Sequence, residues 1–309
     1  MNVINSEKAK FDALKAEIFD HAARQDVFAR PRQVRNALKA LYSPDWEFEW
    51  QEALILLSCL CRMQPARTHG KLYMLRTART ERGEEAEFDA FMTRVEAALH
   101  PDYITPHGYV RTFSEMDAQE IFNSMGAAVA PLAGLGNPVF LYAGALLGHI
   151  RSGKLIGHDD DIDVGIMLGE CTTAQAAVRW LEFKQRLADA GMIDAEEKAR
   201  NRPVFKFMSD LGVDIDLFPA WTDQGRFSVY PYSQNEMPEN AVFPLASFGQ
   251  DPLMLPADSE AMLVQSYGEG WRVPDPLFHL DWKRRNKVFQ DLFTVTYALE
   301  AADDTTGDA

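Results

Sequence analysis

Long apolar runs are missing from this 309-residue chain, and no stretch approaches the roughly 18 apolar residues that a membrane-spanning helix requires. The opening MNVINSEKAKFDALKAEIFDHAARQ also has no apolar segment of the secretory-signal kind, so a cytoplasmic protein without a membrane span is expected. Cysteine is scarce. Cys59, Cys61 and Cys171 offer no disulfide framework, and the single-residue spacing in LILLSCLCRM is unlike that of zinc sites, so buried thiols are expected. Positive charge is in deficit: 31 Lys and Arg stand against 46 Asp and Glu, for a formal net charge of -15. Affinity for a phosphate backbone comes from clustered cations, so this balance argues against nucleic acid as a partner. The one basic run, Lys283 to Arg285, reads as a solvated helix face. Low-complexity tracts and internal repeats are absent too, which leaves an ordinary globular composition with 47% hydrophobic residues.

Two periodicities divide what is present. FDALKAEIFDHAA, RQVRNALKALY, QEALILLSCLCRM and EFDAFMTRVEAAL carry apolar residues at three- and four-residue spacing, which makes residues 1–112 a helical N-terminal region. It ends in HPDYITPHGYV, whose prolines and glycine suggest a linker. Residues 113–300 then mix both periods. Ser114 is expected to cap a helix that ends before Pro138, VFLYAG suits a buried strand, ALLGHIRSG a short helix, and DIDVGIML alternates as a strand does. TTAQAAVRWLEFKQRLADAGM is a strongly amphipathic helix starting at Thr172 or Thr173 and ending at Gly191. PVFKFMSD, VDIDLFPAW and RFSVYPY read as strands joined by turns at SDLG and TDQG, and a last helix spans Asp281 to Leu299. Residues 301–309 are set aside as an acidic tail. The fold class is α+β.

The chemistry is concentrated in GKLIGHDDDIDVGIML, where Asp159, Asp160, Asp161 and Asp163 crowd together. Side chains alternate along a strand, so Asp161 and Asp163 share a face and Ile162 and Val164 take the other; Asp159 joins the acidic face if the extended chain reaches back to it. Stacked carboxylates raise one another's pKa and cost stability unless a cation sits among them. GVDIDLFPAW repeats the device with Asp214 and Asp216. If the two strands are neighbours, Asp161, Asp163 and Asp216 converge into an all-oxygen site suited to Mg²⁺ or Mn²⁺, the ions of phosphoryl transfer. A DDD run is usually a solvated loop and DxD alone is common; two apolar-flanked copies on strands favour the metal. Upstream, YAGALLGHIRSGKL sets Gly144 and Gly148 near a strand end, and Arg151 and Lys154 where phosphate oxygens would lie. The glycines serve helix packing equally well.

Taken in order, LYAGALLGHIRSGKLIGHDDDIDVGIM, VDIDLFP, VFPL and YGEGWRVPDP resemble the LicD family, which includes bacterial phosphocholine transferases and fukutin-related ribitol-phosphate transferases. The resemblance covers roughly residues 115 to 280. It implies a nucleotidyltransferase-like fold, a small mixed sheet flanked by helices, here with the additional helical N-terminal region. It also implies transfer of a phosphorylated alcohol, phosphocholine or a polyol phosphate, from a CDP-linked donor to a sugar hydroxyl of a cell-surface glycan, with Mg²⁺ or Mn²⁺. Carried over, Asp161, Asp163 and Asp216 would hold the metal, Asp159 would match a further acidic position, Gly144 would sit in the donor-phosphate turn, and Arg151 would match the family's basic residue. Two departures bear on the donor. AGALLG replaces GGTLLG or SGTLLG, so Ala145 lacks a hydroxyl, and His158 replaces an aromatic residue, as a candidate acid, base or phosphate contact. Transfer of a nucleotide to a small molecule, and a non-catalytic nucleotide- or glycan-binding homologue, remain the alternatives.

Overall fold

A computed structural model describes the chain except residues 1–2, 106–107, 201, 211, 276, 279 and 307–309. Two compact units result. One comprises Met1–Glu115 with Asp275–His279, the other Met116–Pro274 with Leu280–Ala309.

The first unit is built from α1 (Val3–Ala23), α2 (Pro31–Ala40), α3 (Glu47–Leu60), α4 (Pro65–Thr80) and α5 (Glu85–Leu99). In α3 every residue from Glu52 to Leu60 is buried, so this largely apolar run makes it the central helix, surrounded by Phe11 and Ile18 of α1, Leu72 and Leu75 of α4, and Phe88 and Val95 of α5. Cys59 lies in this core, and burial pushes its thiol up to about 12, as suits an inert thiol; Cys171 is buried and Cys61 partly so. The expected linker is instead a hairpin, β1 (Tyr103–Ile104) against β2 (Tyr109–Val110), with Pro106 and His107 outside the described residues. The Tyr109 hydroxyl lies 3.0 and 2.8 Å from the carbonyls of Ser58 and Met63, which ties the hairpin to the helical unit.

The second unit opens with α6 (Ala118–Ala133). Its N-cap is Asp117, whose carboxylate accepts from the Glu120 amide at 3.0 Å, and not Ser114, which lies in a preceding 3₁₀ turn with its hydroxyl on that of Thr112. Then follow β3 (Val139–Leu141), α7 (Ala143–Ser152), β4 (Asp161–Glu170), α8 (Thr173–Asp189), α9 (Ala195–Ala199), β5 (Phe205–Met208), β6 (Asp214–Asp223), β7 (Arg226–Val229), β8 (Ser233–Pro238), β9 (Ala246–Gln250), β10 (Leu253–Leu255) and α10 (Ser259–Tyr267). The expected final helix is two, α11 (Trp282–Val288) and α12 (Gln290–Thr306). They break at Phe289, whose buried ring meets Trp221 and Tyr230 edge-on, and α12 runs into the segment set aside as an acidic tail, of which residues 307–309 lie outside the description.

The strands form one mixed sheet in the order β8-β7-β6-β4-β3-β10-β9, with β5 also on β6. β4 and β6 run parallel; β5 and β7 pair antiparallel with successive halves of β6, as the short turns imply, although Leu211 of the SDLG turn is not described. The α8 helix begins in a capping box between Thr172 and Gln175 and lays Trp180 and Phe183 on the apolar face, where Trp180 stacks on Phe205 of β5 at 4.5 Å. On the other face, Gly165 of β4 makes room for Phe140 of β3: a Cβ there would stand 2.2 Å from the Phe140 ring. Phe140 is fully buried, so Gly165→Ala should lower stability by about 1–3 kcal/mol through overpacking, measured by denaturant unfolding.

Candidate active site

The acidic face follows from register. β4 and β6 pair Asp161 with Asp214 and Asp163 with Asp216, and paired residues of a parallel sheet present their side chains to the same side. Ile162, Val164, Ile215 and Leu217 alternate to the opposite, buried face. Four carboxylates therefore project together, two of them, Asp161 and Asp216, almost wholly buried.

Helix α7 closes this face from above. β3 ends one residue before it, and Ala143 turns the chain with a positive φ of 39°. Gly144 then points its amide at the carboxylates, and its N–H donates to Asp163 Oδ2 at 2.7 Å. Negative charge is favoured at this end of a helix by the unpaired amides and the dipole. The glycine is required by space: a Cβ on Gly144 would lie 2.6 Å from Asp159 Oδ2 and 2.9 Å from Asp163 Oδ2. Gly148, one turn further on, has a different task, since a Cβ there would meet the Lys154 carbonyl at 2.5 Å. The loop after α7 thus folds back along the helix, past Gly148, and delivers Asp159 beside Gly144.

Asp159, Asp160 and Asp161 bring carboxylate oxygens within 4.8 Å of one another, a grouping that could hold a metal ion. Desolvation pushes Asp159 well above the usual carboxylate range, and the neighbouring Asp161 and Asp160 push it further. Asp163 is raised in the same way, by desolvation and then by Asp161, Asp159 and Asp216, partly opposed by the Gly144 amide. Crowded hard oxygens that would rather be neutral are the donor set a divalent ion relieves, so these residues fit Mg²⁺ or Mn²⁺.

A cation already touches the cluster, and sequence reasoning missed it. Lys206 of β5 pairs with Asp216 in the register, and its Nζ lies 2.8 Å from Asp216 Oδ1, 3.4 Å from Asp214 Oδ2 and 3.5 Å from Asp161 Oδ2. Burial by itself would lower its pKa, but Asp216, Asp161 and Asp214 outweigh that and raise it, so the ammonium stays charged. Its signal was present in PVFKFMSD, a lone lysine between apolar alternates on a strand one tight turn before DID. Asp160 was also passed over as a ligand. Behind the carboxylates, Tyr142, Tyr232 and Tyr267 pack ring on ring, with Tyr142 and Tyr232 centroids 5.9 Å apart and Tyr232 and Tyr267 5.5 Å apart. Burial raises all three phenols, and Asp163 adds to each shift. No local pattern marked them.

The remaining expected residues are spread out. Ala145 is buried within α7. Arg151 is partly exposed seven residues along the helix from Gly144, about 10 Å of rise, and Lys154 is exposed in the loop. His158 is half-buried immediately before Asp159.

Among the described residues, no helix is long and apolar enough to cross a membrane. A comparison with curated proteins finds no match. The family model LicD/FKTN/FKRP, nucleotidyltransferase domain, matches residues 136–259, a span that runs from β3 through β10 and contains both DID strands, α7 and Lys206 but neither α6 nor YGEGWRVPDP. With the acidic face, the glycine turn and the mixed sheet all inside that span, residues 136–259 are a LicD-family nucleotidyltransferase domain.

Proposed function

We propose that the chain is a cytoplasmic, metal-dependent phosphotransferase that moves a phosphorylated alcohol from a CDP-linked donor to a sugar hydroxyl of a cell-surface glycan. The observation that carries this reading is the parallel pairing of β4 with β6, which gathers Asp161, Asp163, Asp214 and Asp216 on one face beneath the N-terminus of α7. A Mg²⁺ or Mn²⁺ ion would be held by Asp161, which belongs both to the strand-face set with Asp163 and Asp216 and to the loop set with Asp159 and Asp160. When bound, such an ion neutralises phosphate charge.

The chain's own groups divide the remaining work. The first-turn amides of α7 and the cations Arg151 and Lys154 favour the donor's diphosphate, with His158 as a further contact. The acceptor oxygen attacks the phosphorus that bears the alcohol, the bond to the bridging oxygen breaks, and CMP departs. The hydroxyl proton passes to a carboxylate oxygen of Asp159, since Asp216 is engaged by Lys206 at 2.8 Å.

Incubation with a panel of CDP-alcohols, a sugar acceptor and Mn²⁺ should release CMP in step with glycan modification. Release of pyrophosphate from a nucleoside triphosphate instead would establish nucleotide transfer to a small molecule. Turnover of neither substrate, with nucleotide still bound, would leave a binding protein.

A further inference from the structure

We propose that α11 is where the acceptor docks: the exposed cations Lys283, Arg284 and Lys287, beside the indole of Trp282, hold a glycan that carries anionic groups, phosphate or carboxylate. The inference rests on the glycan-transfer reading above and adds to it the acceptor's charge and the surface that receives it.

Stability of the fold does not account for this helix. Trp282–Val288 holds four cations and no acid, in a chain whose formal net charge is -15, and buries none of its residues. Lys283 and Lys287 stand four residues apart, a like-charge pair that opposes the helix. Lys283 and Arg284 occupy the first turn, the end where the helix dipole disfavours positive charge. Arg285 is taken up by the fold, since its guanidinium donates to the Tyr232 carbonyl at 3.0 Å. Lys283, Arg284 and Lys287 are exposed, and among the described residues no carboxylate pairs with any of them.

Aromatic surface lies beside these cations. Trp282 is 45% exposed with its ring 6.3 Å from that of the buried Tyr230; Tyr230 meets Phe293 edge-on, and Phe293 stacks on the half-exposed Tyr297. A half-open indole suits the C–H face of a sugar ring, and the ammonium and guanidinium groups next to it suit phosphate or carboxylate oxygens. The helix is also tied to the acidic site. The Tyr230 hydroxyl lies 2.9 Å from Asn286 Oδ1, Arg285 holds Tyr232, and Tyr232 packs on Tyr142, the residue before Ala143 and Gly144. An anionic acceptor nearing the crowded carboxylates meets repulsion, which cations on a helix fixed to the same tyrosines offset. A long nucleic acid would meet the acid surplus of the whole chain, and Trp282 and Val288 alone offer little apolar area to a bilayer. A short anionic stretch of glycan fits both the charge and the indole.

The test uses the full chain in titration calorimetry at several salt concentrations. A phosphate-bearing mannan and polygalacturonate are the probes; unmodified mannan, single-stranded DNA and phosphatidylglycerol vesicles are the comparisons. At least one anionic glycan should bind and unmodified mannan should not, and the one that binds more tightly identifies the anion. Lys283→Gln, Arg284→Gln and Lys287→Gln combined should weaken that binding roughly tenfold, the scale of three exposed ion pairs, and flatten its salt dependence. Trp282→Ala should weaken it with the salt dependence retained. If the triple variant does not fold, Lys283→Gln with Lys287→Gln serves in its place. No binding of either anionic glycan, equal affinity without the cations, or tighter binding of DNA or vesicles overturns this inference and leaves transfer from a CDP-alcohol, read by CMP release, standing. An anionic glycan bound through α11 with no CDP-alcohol turned over keeps the docking surface and removes the transferase reading.

Discussion

Asp161→Asn should lower turnover by roughly 10²–10³ or more, the scale of losing the main electrostatic support of a transition state, while the folded chain survives and, in chelator, is at least as stable as wild type. The two halves of this expectation have one cause. Asp161 is nearly buried, shares the grouping of Asp159 and Asp160, and lies on the same face as Asp163, Asp214 and Asp216. Removing its charge relieves repulsion on Asp159 and Asp163, and Lys206 keeps Asp216 at 2.8 Å and Asp214 at 3.4 Å, so little attraction is lost in exchange. The same repulsion has a pH signature. Asp159 and Asp163 have folded-state pKa values raised above their unfolded ones, so the folded chain binds more protons than the unfolded chain, and stability in chelator falls as pH rises through that window. The variant should flatten that fall. CMP release measured beside thermal unfolding at a series of pH values checks both; a variant with near-normal turnover would remove Asp161 from the chemistry.

Gly144→Ala should separate activity from stability even more sharply. By helix propensity alone alanine is the better residue within α7, by about 1 kcal/mol. The new methyl group would, however, stand 2.6 Å from Asp159 Oδ2 and 2.9 Å from Asp163 Oδ2, closer than carbon and oxygen can approach. What gives way is the pair of carboxylates, since they are the ends of side chains whereas the Gly144 backbone is held in the first turn of α7. The displaced groups are the ones that would take the proton and help hold the ion, so turnover should fall on the order of 10²-fold, as expected when a reacting geometry shifts by about 1 Å. Opposing steric and propensity terms should keep the change in stability within about 1–3 kcal/mol. Turnover per folded molecule, with the folded fraction taken from circular dichroism, makes the measurement; wild-type turnover would show that the turn tolerates a side chain and that Asp159 and Asp163 need not stay where they are.

Much of the site could be read before any coordinates because it rests on local geometry. The i, i+2 alternation that puts Asp161 with Asp163 and Asp214 with Asp216 is a property of any extended chain, and the apolar residues between them declare which face is buried. The Thr172 cap and the amphipathic α8 were legible for the same reason, as was the mixture of helix and strand. Ser114 failed as a cap because Asp117, equally suited, stood three residues nearer the helix. The segment around Pro101 and Gly108 looked like a linker because its two-residue strands are too short to show alternation and are held by a Tyr109 contact across the helical unit.

By itself the sequence determined that paired carboxylates would share a face and that the chain combines helices with strands. The tertiary structure alone decided that β4 lies beside β6 with Asp163 level with Asp216, that Lys206 reaches across from β5, that the loop after α7 returns Asp159 to Gly144, and that Tyr232 and Tyr267 pack behind the acids. The reason is range: a side chain's face follows from covalent geometry within two residues, whereas its neighbours follow from strand order and register, which are settled by the packing of distant residues such as Trp180 on Phe205 and Phe140 over Gly165.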